Sequence, residues 1–154
     1  MDSSKQKELK ISAIGYGTVL DHIPSNRTFK VAEILNLNEH EDIISIATNL
    51  PSKKLGKKGI IKIAGKIISK EQVDKIAIVA PNATVNLIKD YNVDKKEKVE
   101  IQDILDNLVK CSNPKCITNN EVVKTKFYVL KKSPLIVRCH YCERLMQSDE
   151  IVLK

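Results

Sequence analysis

The chain has 154 residues, and its 26 basic and 19 acidic side chains give a formal net charge of +7 at pH 7. Every apolar run is far too short to span a bilayer, and aromatic residues are only 4% of the chain, which leaves few stacking platforms for single-stranded nucleic acid. We therefore expect a cytoplasmic protein with no membrane partner, whose positive charge serves phosphate ligands or an acidic protein partner rather than nucleic acid.

The first predicted elements are a strand and a helix that follow a polar arm. Residues 1–10 carry mainly polar and charged side chains, and short apolar alternation over Leu9–Ile23 then predicts a strand with a bend. The apolar spacing over 29–35 predicts a helix with one buried face, and we expect Ser25 or Asn26 to provide its N-cap.

A hairpin, a short strand, a second helix and a last strand are predicted next. The β-branched stretches Asp42–Leu50 and Gly59–Ile68 are typical of a hairpin, and its tip is rich in lysine. A short strand is predicted over Ile76–Ala80, a helix over 82–91 with Asn82 or Thr84 as its cap, and an exposed strand over Val93–Ile101. The order resembles the split βαβ, ferredoxin-like arrangement, an α+β fold in which two helices cover one face of an antiparallel sheet.

The last third of the chain is organised around four cysteines in the pattern C-x4-C-x22-C-x2-C: Cys111, Cys116, Cys139 and Cys142. Two close pairs of thiolates suit one tetrahedral zinc ion, and four thiolates leave no open position for water, so a structural zinc is favoured. Two disulfides, an iron–sulfur cluster or four ordinary buried thiols stay open as alternatives. We interpret His140 as a surface residue, because the four thiolates would already fill the site.

A small antiparallel sheet is predicted around these cysteines, in the manner of a zinc ribbon. Asp103–Lys110 is interpreted as the link into this module, and Glu121–Val129, Leu135–Arg138 and Leu145–Leu153 are predicted as its three strands. At about 50 residues such a module rarely has a sufficient hydrophobic core, so we expect metal binding to supply much of its folding free energy.

No catalytic constellation is evident in the sequence, so we do not expect an enzyme. The sequence offers no nucleophile with a base, no carboxylate pair in an apolar setting and no open metal site. Asp21 and His22 are adjacent in a strand and are expected to point to opposite faces. Lys62 lies in an otherwise apolar strand, where it either extends to solvent or reaches a bound anion.

Three segments followed by the four cysteines carry a resemblance to a known family. GTVLDHIP at Gly17–Pro24, NLPSKKLGKK at Asn49–Lys58 and APNATVNLIKDY at Ala80–Tyr91 resemble the regulatory chain of aspartate carbamoyltransferase. The resemblance covers nearly the whole chain. It implies an allosteric nucleotide-binding domain over 1–103 and a zinc-binding domain over 104–154 that docks on the catalytic chain.

The resemblance also implies a role in pyrimidine biosynthesis. In the family, regulatory chains form homodimers that link catalytic trimers, each chain holds one structural zinc ion, and CTP and ATP compete for one allosteric site. The implied metal ligands are the four cysteines. The implied nucleotide-binding residues are Ala13, Ile14, Val19, Asp21, His22, Lys62, Asn86, Ile88, Tyr91, Val93 and Lys96.

Within that pattern, Asp21 matches a ribose contact, His22 and Lys96 match phosphate contacts, and Lys62 matches a contact near the ribose. The base would be read by backbone groups near Ala13, Ile14 and Tyr91, which would let a single site admit both a pyrimidine and a purine. At three positions beside this implied base pocket, charged residues of better-known members are replaced here by Ser12, Gly15 and Tyr16.

Two other functions are compatible with parts of the sequence. A zinc-ribbon protein that binds nucleic acid would use the basic charge and the cysteine spacing, and its binding would depend on salt. A thiol redox enzyme would use the pair Cys139 and Cys142, although such a dithiol needs no second cysteine pair.

Overall fold

A computed structural model describes residues 13–154, and these divide into two compact units with the boundary between Glu100 and Ile101. The predicted polar arm over 1–10 and the start of the first predicted strand lie outside the described residues. Among the described helices, none combines the length and the apolar character that crossing a membrane requires.

The described part of the first unit forms a five-stranded antiparallel sheet with two α-helices. Its strands are β1 (Tyr16–Pro24), β2 (Ile44–Ser52), β3 (Gly56–Ala64), β4 (Thr84–Lys89) and β5 (Asn92–Lys98), and its α-helices are α1 (Thr28–Leu35) and α2 (Lys70–Val79). The strand order is β2-β3-β1-β4-β5. The first four strands have the split βαβ order, and β5 extends the edge next to β4. The predicted ferredoxin-like α+β fold is confirmed.

The centre of one face of this sheet is apolar and buried. Leu20 on β1 lies opposite Ile61 on β3, and both side chains are inaccessible to solvent. Helix α1 packs against β3 and α2, and it buries Val31 and Leu35 on one side. Each such side chain contributes about 1.5–3 kcal/mol when it leaves water. Among the described residues, both α-helices therefore lie on the face of the sheet that carries Leu20 and Ile61.

The second helix and the fourth strand correct the sequence prediction. A strand was expected at Ile76–Ala80 and a helix at 82–91, but α2 precedes Ala80 and β4 follows it. The helix begins earlier because the Ser69 hydroxyl accepts from the Gln72 N–H at 3.2 Å while the Gln72 side chain accepts from the Ser69 N–H at 3.0 Å. The β-branched residues before Ala80 thus form the buried face of a helix.

The start of α1 also differs from its prediction. Neither Ser25 nor Asn26 caps the helix, because Ser25–Arg27 forms a 3-10 turn and α1 begins at Thr28 without a side-chain cap. The Ser25 hydroxyl instead accepts a hydrogen bond from the backbone N–H of Asn49 at 3.1 Å. This residue therefore ties the entrance of the helix to β2.

The second unit, all of which is described, contains a four-stranded and a two-stranded antiparallel sheet. Its strands are β6 (Ile104–Asp106), β7 (Val109–Lys110), β8 (Lys126–Lys132), β9 (Leu135–Cys139), β10 (Leu145–Gln147) and β11 (Val152–Leu153), and its helix is α3 (Ile117–Asn120). The sheet orders are β10-β9-β8-β6 and β11-β7. Phe127, Val137 and Met146 form its buried core. The predicted small antiparallel β domain is confirmed.

Three boundaries in this unit differ from the prediction. Asp103–Lys110 is not a link, because it carries β6 and β7, and Leu105 of β6 is buried opposite Phe127. The strand expected over Glu121–Val129 begins only at Lys126, and the one expected over Leu145–Leu153 is divided into β10 and β11 by a 3-10 turn. Strands of two or three residues leave too little alternation to be recognised from sequence.

Candidate metal centre and effector site

The four cysteines converge on one point in the second unit. Their Sγ atoms all lie within 4.8 Å of one another, with 3.6 Å between Cys111 and Cys142 and 3.8 Å between Cys116 and Cys139. A zinc ion with Zn–S bonds of about 2.3 Å requires tetrahedral sulfurs separated by about 3.8 Å. All four are free cysteines, which does not match the two-disulfide alternative. The donor set therefore fits a closed tetrahedral metal site.

Two asparagines, which the sequence prediction missed, hold the loop between the first pair of cysteines. The Asn119 side chain donates to the carbonyl oxygens of Cys111 at 2.9 Å and Asn113 at 2.7 Å. The Asn120 side chain donates to the carbonyl oxygen of Cys116 at 2.9 Å. The only signal in the sequence is that both amides follow the loop directly, at the end of a helix of one turn. They fix the backbone on which two of the sulfurs depend.

The loop between the second pair of cysteines is held by backbone hydrogen bonds. The Cys139 N–H donates to the Arg144 carbonyl at 3.0 Å, and the Glu143 N–H donates to the Cys139 carbonyl at 3.0 Å. His140 is exposed, as predicted, and its Nδ1 lies 2.6 Å from the Tyr128 hydroxyl. The imidazole therefore faces the outer surface of the sheet.

Burial and local hydrogen-bond donors shift the pKa values of the Cys111 and Cys142 thiols in opposite directions. Burial, together with a hydrogen bond to Cys142, raises the pKa of Cys111 to about 12, although the backbone N–H of Asn113 opposes the change. At Cys142 burial also acts against ionisation, but the Asn113 side chain, the Arg144 N–H and the neighbouring thiols outweigh it and lower the pKa to about 7. Of these two thiols, the Cys142 thiol therefore ionises more readily.

A row of directly paired residues crosses the whole sheet of the first unit. In strand order from β2 to β5 its members are Ser45, Lys62, Val19, Asn86 and Lys96. Directly paired residues project to the same face of a sheet. This is the face opposite the buried Leu20 and Ile61, and we call it the open face. Four of the predicted nucleotide-binding residues thus share one row, whereas Ser45 was not predicted.

A β-bulge brings Asp21 and His22 to the same face. The pairing of β1 with β3 shifts between Leu20 and Ile23, and His22 has a left-handed φ of 56°. Its N–H donates to Asp21 Oδ1 at 2.6 Å, and its Nδ1 lies 3.1 Å from Thr84 Oγ1. Thr84 is paired with Asp21 on the open face. The expectation that the two residues point to opposite faces was therefore wrong, because a bulge interrupts the alternation.

Two lysines interact electrostatically with the Asp21 carboxylate. Lys58 Nζ lies 2.9 Å from Asp21 Oδ1. Burial opposes ionisation of Asp21, but the hydrogen bonds from Lys58 and the His22 N–H and the nearby positive charge outweigh it and hold its pKa below the usual value. Partial burial lowers the pKa of Lys62, and the charge of Asp21 opposes that change. Lys58 was not predicted as a site residue, although it lies four residues before Lys62 on the same strand.

Two of the residues predicted to contact the base, Ala13 and Ile14, directly precede β1, and Tyr91 lies in the turn between β4 and β5. The Tyr91 N–H donates to the Gly15 carbonyl at 3.1 Å, and a Cβ at Gly15 would lie only 3.1 Å from two atoms of the Tyr91 ring. Ile14 is buried and Ala13 is exposed. The tyrosine ring therefore rests on backbone that carries no side chain, beside the first described residues of the chain.

A second row continues the open face toward that end of the sheet. Gly17 is paired with Ile88, and Ile88 is paired with Val93. Gly17 and Ile88 lie two positions along their strands from Val19 and Asn86, so they share the same face of β1 and β4, and Val93 is placed beside them by its pairing with Ile88. The predicted pocket residues Ile88 and Val93 therefore lie beside the row that crosses the sheet.

Comparison with known proteins identifies the family. A family model described as the allosteric domain of the aspartate carbamoyltransferase regulatory chain matches residues 9–100, and one described as the metal binding domain of that chain matches residues 103–152. The chain belongs to the aspartate carbamoyltransferase regulatory chain family. The resemblance seen in the sequence is thus confirmed.

Aspartate carbamoyltransferase regulatory chains from three organisms are similar to this chain over nearly their full length. The one from Pyrococcus abyssi is 55% identical over 147 residues, which cover 94% of this chain and 97% of the relative. The one from Parabacteroides distasonis is 45% identical over 154 residues, which cover all of both chains. The one from Bacteroides thetaiotaomicron is 47% identical over 151 residues, which cover 98% of this chain and 99% of the relative.

The two family matches divide the candidate sites between them. The metal binding domain match includes all four clustered cysteines, and the allosteric domain match includes the whole open face. This member of the aspartate carbamoyltransferase regulatory chain family is thus a regulatory rather than a catalytic chain, with an allosteric domain and a metal-binding domain.

Proposed function

We propose that this regulatory chain binds nucleoside triphosphates, including CTP and ATP, on its open face and holds one structural zinc ion between its four cysteines. The domains would be an allosteric nucleotide-binding domain over 1–103 and a zinc-binding domain over 104–154. The observation that carries the nucleotide proposal is the row that places Lys62, Val19, Asn86 and Lys96 on one face.

The spacing of the two lysines in the row suits a phosphorylated ligand. Lys62 on β3 and Lys96 on β5 are separated by three strand intervals, or about 14 Å between backbones. Both side chains are long, so they can converge on anionic groups that lie over Val19 and Asn86 between them. Charge-assisted hydrogen bonds to phosphate are about twice as strong as neutral ones. A triphosphate supplies enough charge for both lysines and for His22.

Asp21 supplies the ribose contact in this proposal. Lys58 and the His22 N–H stabilise its carboxylate, so it remains an acceptor for ribose hydroxyl groups over the physiological pH range. The bulge places His22 on the same face, where it can meet the phosphates that follow the ribose. The base would lie toward Ala13 and Tyr91 and be read by backbone groups, which admits both a pyrimidine and a purine.

The zinc ion has a structural role in this proposal. Four thiolates close the coordination shell, so the ion offers no position to a substrate, and its function is to hold the cysteine loops together. The module would then present its surface to the catalytic chain of aspartate carbamoyltransferase in the cytoplasm. Homodimers of regulatory chains would link catalytic trimers in pyrimidine biosynthesis. A nucleotide that binds one quaternary state more tightly would shift the assembly toward that state.

Two adjacent lysines provide a matched test of the nucleotide site. Lys96 is paired with Asn86 on the open face, whereas Lys95 is paired with Leu87 and projects to the other face. Lys62→Gln and Lys96→Gln should each weaken CTP and ATP binding about 10- to 100-fold in calorimetric titrations, because a hydrogen bond to a charged group contributes about 1.5–3 kcal/mol. Lys95→Gln, which makes the same change of charge, should stay within about twofold of the parent chain.

Equal losses for Lys95→Gln and Lys96→Gln would show that only net charge matters, and the proposed site would be abandoned. Assembly is tested separately by co-purification with the catalytic chain, with and without zinc. A complex that persists after the metal has been removed and assayed would contradict the role given to the ion.

A further inference from the structure

Cys116 is distinguished within the cysteine cluster by a side-chain hydroxyl on its sulfur. The Thr118 hydroxyl donates to Cys116 Sγ at 3.2 Å. The sulfurs of Cys111, Cys139 and Cys142 accept hydrogen bonds from backbone N–H groups in their own loops, and Cys142 also accepts one from the Asn113 side-chain amide, but none of these donors is a hydroxyl. A backbone donor remains when a side chain is exchanged, whereas the hydroxyl on Cys116 Sγ can be removed by a single substitution.

The position of Thr118 is fixed by the short helix that Cys116 begins. Cys116 is the N-cap residue of α3, and its carbonyl accepts from the Asn119 N–H at 2.9 Å and from the Asn120 side chain at 2.9 Å. Cys116 is only 1% exposed, so water has little access with which to replace a missing donor. The helix therefore holds the Thr118 hydroxyl within hydrogen-bonding distance of Cys116 Sγ.

We propose that Thr118 is a positioning residue of the metal centre, whose hydroxyl orients Cys116 Sγ and slows both the loss of zinc and the attack of electrophiles on that sulfur. This inference rests on the proposed zinc function. Four thiolates around a divalent ion leave two negative charges on the centre. A donor that spreads this charge lowers the nucleophilicity of the thiolate, and hydrogen-bonding partners outside the ligand set change metal affinity about 10- to 100-fold.

Three substitutions in the zinc-loaded full chain test this role. Thr118→Val removes the hydroxyl at nearly constant volume, and Thr118→Ser retains it. Thr125→Val is the matched control, because the buried Thr125 hydroxyl donates to the Val109 carbonyl at 2.6 Å in the same unit rather than to a cysteine. Two quantities are measured: the rate of zinc transfer to a chromogenic chelator, and the order in which the four cysteines react with iodoacetamide. In that reaction the sulfur attacks the methylene carbon and iodide leaves.

Thr118→Val should release zinc on the order of 10-fold faster than the parent chain, and Cys116 should move to the front of the alkylation order. Thr118→Ser should behave like the parent, and Thr125→Val should lower stability without changing the order. If the order and the release rate of Thr118→Val match those of the parent, or if Thr118→Ser is as impaired as Thr118→Val, Thr118 does not position the sulfur. A parent chain that binds no stoichiometric zinc would instead remove the proposed metal function itself.

Discussion

Removal of the metal should unfold the second unit while the first unit stays folded. All four cysteines lie in the second unit, and the first unit contains none. The perturbation is dialysis of the full chain against a strong chelator, followed by direct measurement of residual zinc. We expect the sheet formed by β6, β8, β9 and β10 to lose its protection, because the ion joins loops that the small core cannot hold together by itself.

The expected magnitude follows from the size of the unit. Net folding stability is about 0.05–0.15 kcal/mol per residue, so a unit that extends from Ile101 to Lys154 would have about 3–8 kcal/mol. A structural zinc ion contributes about 10–16 kcal/mol in small modules at pH 7. Removal of the zinc ion therefore costs more free energy than the whole net stability of the unit. In the first unit the loss should be near zero, since its helices and sheet form their own core.

Hydrogen exchange with mass spectrometry separates the two units within one sample. Peptides from β8 and β9 should exchange nearly all their amides quickly after chelation, peptides from β1 and β3 should be unchanged, and added zinc should restore protection. If β8 and β9 keep their protection in a sample shown to be free of metal, the core alone stabilises the module and the reasoning is refuted.

Three further predictions concern the first unit. Asp21→Asn should lower the free energy of unfolding by about 1 kcal/mol or less at pH 7. Because the folded-state pKa of Asp21 is depressed, this difference from the parent should vanish as the pH falls through that pKa, which urea titrations at a series of pH values would measure. Ser69→Ala removes half of the capping box and should cost about 1 kcal/mol, measured as a lower urea midpoint with an unchanged slope. Gly15→Ala should change the unfolding free energy by less than about 0.5 kcal/mol, because the Tyr91 ring is exposed and can move, but it should alter the ratio of CTP to ATP affinity in calorimetry.

The parts of the molecule that could be predicted from sequence are those with a strong local pattern. The hairpin of β2 and β3 is such a case, since two β-branched stretches flank a lysine-rich turn. The cysteine cluster is another, because two pairs of cysteines at such short spacing are typical of a metal site. Both patterns depend on residues close together in sequence.

The wrong predictions fall where the local sequence pattern and long-range packing favour different structures. The segment before Ala80 is β-branched and apolar, so it resembles a strand, but the capping box at Ser69 and the burial of its apolar side chains make it a helix. Strand β6 is only three residues long, and it exists because Leu105 fits opposite Phe127 across the sheet. Pairing of this kind depends on a residue that is distant in sequence, so no local sequence pattern predicts it.

The bulge at His22 is another feature that the local sequence pattern did not predict, and it bears on the proposed nucleotide site. A non-glycine residue with a left-handed φ costs about 1 kcal/mol or more, and here the His22 N–H bond to Asp21 and the contact of its ring with Thr84 offset that cost. Regular alternation would have sent one of the two side chains into the apolar core beside Leu20. The added residue instead keeps both on the open face, next to the row that contains Lys62. In the proposed nucleotide site, a ribose and its phosphates would meet a carboxylate and an imidazole from consecutive residues of one strand.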